Sequence, residues 1–219
     1  KGNDYQYLNG EKIVQANGRY LMSTTSDIII GNVNPDWIGG ITNTFRFKNL
    51  SLGFLIDVKK GGDMFSLDLY YGLATGLYPE TAANNELGNP LRDPVSAGGG
   101  LLLPGVKADG TPNTTRASAV NYGLQGYARN PAAAFVYDAS FVKLREVNLN
   151  FDLPSKILGD KKYVKGITIG AYGRNLWIIH KNTPYSDPED GLSSGNVQGY
   201  QSGSYPTVRT VGVNLNVKF

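Results

Sequence analysis

The sequence holds one histidine and no cysteine, which leaves little with which to build a catalytic centre. A Ser-His-Asp arrangement would have to use His180. That residue follows Trp177-Ile178-Ile179 at the end of an apolar run and reads as a surface histidine, not a base. The absence of cysteine removes thiol nucleophiles, disulfide scaffolds and thiolate metal sites together. Asp187, Glu189 and Asp190 offer oxygen ligands of the kind Ca²⁺ takes, but no glycine stands where such a loop needs one. The cluster is therefore expected to be a solvated turn. Gly98-Gly99-Gly100 lacks the Lys-Ser/Thr and the helix start of a phosphate loop. No cofactor or metal is expected, and the protein is not expected to be an enzyme. What remains is recognition chemistry. Tyr122, Tyr127, Tyr185 and Tyr200 lie in irregular segments, and tyrosine rings stack on sugars or grip peptides at low entropic cost. Arg116, Arg129 and Arg92 are candidates for a ligand carboxylate or a partner surface.

The elements that carry these residues announce themselves by period-2 alternation. From Val211 to Phe219 every odd position is apolar (Val211, Val213, Leu215, Val217, Phe219), against Gly212, Asn214, Asn216 and Lys218. Ile41, Phe45 and Phe47 oppose Thr42, Thr44, Arg46 and Lys48. After Lys48-Asn49 the pattern restarts with Leu50, Leu52, Phe54, Ile56 and Val58, which predicts a hairpin. Val147, Leu149, Phe151 and Leu153 alternate with Glu146, Asn148, Asn150 and Asp152, and a further run from Ile167 weakens at Leu176-Trp177-Ile178. The strands are thus expected over about 38–48, 50–60, 139–153, 166–178 and 207–219.

Strands of about ten residues exceed the five or six usual in globular sheets and match the length that crosses a bilayer at a tilt of roughly 45°. One apolar and one polar face suits lipid outside and water inside, although alternation alone would also suit a soluble sandwich. The connections are uneven: two residues at Lys48-Asn49, a modest link over 154–166, and long segments over 61–138 and 179–206. Short turns on one side and long loops on the other is the asymmetry of outer-membrane barrels. Asp63 followed by Met64, Leu67, Tyr71, Ala74 and Leu77 predicts an N-cap and a helical face, with a strand over Phe65, Leu67, Leu69 and Tyr71 as the competing reading. Residues 79–131 read as loop. Residues 1–37 read as an outer loop region with short β segments, and 38–219 as the barrel segment. Five long amphipathic strands cannot close a barrel, so the chain is expected to be a piece of something larger. A charge of +3 from 21 basic and 18 acidic residues is too balanced for nucleic acid.

Four segments resemble one family. Residues Ile30-Gly31-Asn32-Val33-Asn34-Pro35-Asp36-Trp37-Ile38-Gly39-Gly40 resemble its GNPNPDW-GG pattern. Phe47-Lys48-Asn49-Leu50-Ser51-Leu52 with Lys60-Gly61-Gly62-Asp63 resembles YKNFSL…GGD. Phe141-Val142-Lys143-Leu144-Arg145-Glu146-Val147-Asn148-Leu149 with Leu153-Pro154 resembles FLRLKNVTLGYTLP. Gly173-Arg174-Asn175-Leu176-Trp177, with Thr183 and Asp187-Pro188-Glu189, resembles GRNLFT…DPE. In order and spacing they are similar to the C-terminal part of the SusC/RagA family of TonB-dependent outer-membrane transporters. The resemblance is strong over 30–65 and 138–219 and absent over 80–137.

The resemblance implies an all-β membrane protein, whose complete barrel would have about 22 antiparallel strands and a plug, with long extracellular loops, one containing a helix. It implies an outer-membrane nutrient importer of a Gram-negative bacterium, taking up glycan or oligopeptide with energy delivered through TonB. A SusD-like surface lipoprotein would lie over the outer loops as a lid, and Tyr122, Tyr127, Tyr185, Tyr200, Arg116 and Arg129 are candidates for ligand or lid contacts. The plug and the TonB-contacting segment fall outside this chain. Val211, Val213, Leu215, Val217 and Phe219 match a C-terminal barrel-insertion signal, with the C-terminus on the periplasmic side. A barrel acting as a structural or interaction subunit and a soluble glycan-binding β-sandwich are the alternatives.

Overall fold

The computed structural model describes residues 1–120, 124–127, 129–154, 156–159, 163–191, 195 and 197–219. In chain order the elements are β1 (Tyr7–Leu8), β2 (Glu11–Lys12), β3 (Pro35–Phe47), β4 (Leu50–Gly61), β5 (Asp63–Ser66) and α1 (Leu67–Thr75). There follow β6 (Leu101–Leu102), β7 (Arg116–Ala117), β8 (Val136–Asp138), β9 (Phe141–Asp152), β10 (Gly166–Lys181), β11 (Tyr200–Gln201) and β12 (Thr210–Lys218). The chain divides into two units: a sheet unit of residues 34–62, 138–190 and 205–219, and a loop unit of residues 1–33, 63–137 and 191–204.

The sheet unit is one antiparallel sheet in the order β12-β10-β9-β4-β3. Its register puts apolar residues side by side across all five strands: Phe45, Leu52, Leu149, Ala171 and Val213 form one row. Among the described residues of the unit no layer covers this face. Phe47 is 73% exposed, Leu215 67% and Val213 84%, a contiguous apolar surface of the kind that contacts lipid or another protein. The opposite face is hydrophilic. Asp152 accepts from Arg46 at 3.0 Å and from Thr168 at 2.6 Å, linking three strands. Across β10 and β12 the Tyr172 ring lies over Gly212, so that a Cβ there would overlap its phenol. At the β3–β4 turn, Phe47 pairs with Leu50, with Lys48 at φ 54° and the Asn49 amide bonded to the Asp152 carbonyl at 2.8 Å.

Two features of β9 and β10 depart from simple alternation. In β9 the apolar set changes parity, from Val142 and Leu144 to Val147, Leu149 and Phe151, and the register slips at Arg145 against both neighbouring strands. Such a bulge seats an extra residue and re-aims the side chains beyond it. β10 answers with its own bulge at Asn175, whose φ of 50° is one that asparagine tolerates. This is why the sequence alternation fades at Leu176-Trp177-Ile178. The ladder itself continues to Lys181, past the expected end near 178.

The loop unit corrects the expected helix start. Asp63 to Ser66 is a strand, and α1 begins only at Leu67, capped by Ser66 Oγ, which accepts from Leu69 N at 3.2 Å. Asp63 cannot serve as the cap because its carboxylate receives the Asn32 amide at 2.7 Å. The helix ends at Gly76 in the left-handed region. Leu69 and Leu73 pack on Phe135, with Phe65, Tyr70 and Tyr137 around them. The described residues of 79–131 have little regular structure but are folded on a second small core of Leu91, Ala117, Ala119 and Leu124. Asn side chains replace ladders there. Asn85 donates to the carbonyls of Gly98 and Gly100 and accepts from the amides of Leu87 and Asn89; Asn113 bonds Leu103 and Thr115 in the same way.

Candidate functional site

On the polar face of the sheet unit, charges from β4, β9 and residues 182–190 converge. The β9 bulge carries Lys143 and Arg145 to the side that Glu146 and Asn148 occupy. Arg145 Nε and Nη2 donate to Asp57 Oδ2 at 2.9 and 2.8 Å, and Nη1 donates to Asn175 Oδ1 at 3.2 Å. Arg145 also pairs with Glu189. The Lys143 side chain is 3% exposed and pairs with Asp187 and, at 2.5 Å, with Glu189. Thr207 Oγ1 donates to Asp187 Oδ2 at 2.5 Å. Burial pushes the Asp187 and Glu189 carboxyls up, but hydrogen bonds from Lys143, Thr207 and the Glu189 amide on the first, and from Arg145 and Lys143 on the second, outweigh it. Both are held below the usual carboxylate range.

This overturns the expected solvated turn: Asp187 and Asp190 are buried, and Asp187 and Glu189 are paired with the cations of β9. Among the described residues no group of three His, Cys, Asp or Glu side chains is placed to hold a metal ion. Lys143, Arg145 and Asp57 escaped the sequence reading. The signal that finds them is the parity change of β9, which moves two cations from one face to the other. Removing one partner of a buried pair costs about 3–5 kcal/mol, because the other charge is left without compensation.

In the loop unit the aromatic side chains form a continuous row. Tyr200 packs on Phe65 at 5.4 Å, Phe65 on Tyr70 at 5.4 Å, and Tyr70 stacks on Tyr127 at 5.0 Å and 24°. Tyr71 meets Tyr70 and Tyr127 edge-on. The row is set by α1, which carries Tyr70 and Tyr71, and by a close backbone approach at Gly126, where a Cβ would overlap Ala74. Its outer rings are open, Tyr127 at 42% and Tyr200 at 40% exposure. Beside Tyr200 and Phe65 lies a cavity of about 150 Å³, lined also by Ile30, Val33, Asp63 and Gly199.

The structure thus connects two of the seven sequence candidates, Tyr127 and Tyr200, through Tyr70 and Phe65. Arg116 is engaged by Glu86 and by the Gly100 carbonyl at 3.4 Å. Arg129 is half-buried, its amide bonded to Gly126 at 3.0 Å. Arg92 Nε donates to the Thr81 carbonyl at 2.8 Å. Tyr185 belongs to the sheet unit, half exposed, with φ 60°. Tyr122 lies outside the described residues. Val211, Val213, Leu215 and Val217 share the apolar face of the edge strand β12, and Phe219 follows its last residue.

No protein-family model matches the chain. It is 30% identical over 227 residues to TonB-dependent receptor P26 of Formosa agariphila, an alignment covering 99% of this chain and 20% of the receptor. It is 27% identical over 216 residues to TonB-dependent receptor P3 of the same organism, covering 96% and 19%. The chain therefore spans about a fifth of the length of these curated relatives. In fold it is similar to the RagAB peptide importer in its closed-closed state, with a TM-score of 0.57 at 18% identity over 100% of this chain and 22% of that one. The open-open state matches with a TM-score of 0.58 at 16% identity, again over 100% and 22%.

Proposed function

We propose that this chain, which carries the sequence pattern and the fold of the TonB-dependent receptors, supplies wall strands and outer loops to an importer in the outer membrane of a Gram-negative bacterium. The observation that carries the reading is the two-faced sheet. An uncovered apolar face spans five strands, and a polar face lies behind it. In a barrel the first face meets acyl chains and the second lines a wet lumen. The strand length of 12 to 16 residues in β4, β9 and β10 is enough to cross hydrocarbon at a tilt.

The work is transport, not catalysis: a solute passes the lumen when energy arrives through TonB at a part of the protein outside this chain. The solute class is an oligopeptide or a glycan, too large for a porin, and a SusD-like lipoprotein covers the outer face. Support for a peptide comes from the name of the RagAB importer; the row of open tyrosines suits either class. Tyr127 and Tyr200 are the ligand contacts of this reading, the loops face outward, and β12 with Phe219 serves as the insertion signal.

The test is uptake. Cells lacking the complete protein, and cells lacking TonB, are fed fluorescent oligopeptides or oligosaccharides, and internal label is measured. Loss of uptake of one class in both strains supports the importer. Uptake that survives both deletions, together with disruption of an outer-membrane complex, supports a structural subunit instead.

A further inference from the structure

The two halves of the ion network come from separate sequence segments, Lys143-Leu144-Arg145 and Asp187-Pro188-Glu189, and both lie on one unit. We propose that Lys143 and Arg145 are the anchoring half of a permanent brace that fastens residues 182–190 to the polar face of the sheet, making this loop a fixed part of the wall and not a moving cover. The inference stands on the sheet geometry alone and survives whatever solute the protein carries.

The brace has redundancy that a simple surface bridge lacks. Two of the loop acids have two supports each: Asp187 is held by Lys143 and Thr207, and Glu189 by Lys143 and Arg145. Arg145 is in turn fixed from behind by Asp57 of β4 and Asn175 of β10. Further polar contacts surround the acids. The Asp187 amide donates to Asp190 at 3.3 Å, the Glu189 amide donates to Asp187 at 3.0 Å, and Lys181 at the end of β10 donates to the Ser186 carbonyl at 2.7 Å. The Phe141 ring backs both cations, 5.2 Å from the Lys143 ammonium and 5.8 Å from the Arg145 guanidinium.

Within this loop the backbone is also held in an unfavourable conformation. Tyr185 has φ 60°, a region that costs a bulky L-residue free energy and persists only where the surroundings over-determine it. A loop free to swing would relax it. The pH response follows from the carboxylates. Their depressed values mean that the fastening is complete above the unfolded carboxylate range, about pH 4, and is lost only as pH falls through the lower folded values.

The experiment uses the complete protein in outer-membrane vesicles with Thr183→Cys as reporter, since Thr183 lies within the loop and is buried at 2% exposure. The parent without the reporter sets the background of maleimide labelling. The brace predicts slow labelling that, divided at each pH by the rate of an exposed control cysteine so that the falling thiolate fraction cancels, is unchanged between pH 8 and pH 5 and rises below about pH 4. It predicts labelling at least tenfold faster in Lys143→Met. The double variant Lys143→Met/Asp187→Asn leaves fewer unpaired charges but still lacks the anchor, so it labels fast too, with heat-modifiable gel mobility confirming a folded barrel. Fast labelling of the Thr183→Cys protein with the brace intact at neutral pH, or slow labelling in both folded variants, overturns the proposal.

Discussion

Tyr127 and Tyr200 stand toward the two ends of a row of rings, and the residue-scale prediction concerns what that row is for. Stacking of one ring contributes about 0.5–1.5 kcal/mol beyond its area, so Tyr127→Ala or Tyr200→Ala is expected to weaken solute binding by about two- to twelvefold. Phe at either position keeps the face and most of the affinity. Fluorescence titration of the purified complete protein with labelled oligopeptide checks this; equal affinity for all four variants removes the rings from the site. Arg116 is a poorer candidate than its position in the sequence suggested, because Glu86 already neutralises its guanidinium.

At the scale of elements, α1 shows how a single cap decides a boundary. Ser66 Oγ accepts from the Leu69 amide and donates to Gln201 Oε1 at 2.6 Å, tying the helix start to β11. Ser66→Ala removes both bonds and is expected to cost about 1–3 kcal/mol. Hydrogen exchange should quicken over 67–75 and 200–201 while β4 and β9 stay protected; uniform quickening would mean that the cap is not local in effect. The bulges at Arg145 and Asn175 are the other decisive elements. Without them Lys143 would share a face with Leu149, and its ammonium would meet the environment that Val213 meets.

For the molecule as a whole, the question is what covers the apolar face. Two neighbouring positions on β12 separate the answers. Val213→Arg puts a cation on the apolar face, where in a bilayer midplane it costs about 2–4 kcal/mol; Asn214→Arg puts the same charge on the polar face. Assembled, heat-modifiable protein in the outer membrane should fall sharply for Val213→Arg and stay near the parent for Asn214→Arg. Equal tolerance of both would argue against a lipid-facing surface. β3 and β12 are the two edges of the described sheet, and unpaired backbone groups in hydrocarbon cost several kcal/mol each, so further strands are expected to pair there.

The sequence by itself determined what depends on neighbours along the chain. A period of two fixes which side chains share a face, so the apolar faces that carry Phe45, Leu52, Leu149 and Val213, the Lys48-Asn49 turn and the two-faced character of the strands were all legible. The brace was not. Lys143 and Asp187 are 44 residues apart, and no local rule links an ammonium in a strand to a carboxylate in a later loop. Only the register of β9 against β4 and β10 carries Arg145 to Asp57, and only the path of the loop returns Asp187 to Lys143. The same holds for the aromatic row. Tyr127 meets Tyr70 because Gly126 lets two backbones approach, which is a fact of three dimensions. Side chains find distant partners when burial makes an unpaired charge too costly, and burial is decided by the assembled chain.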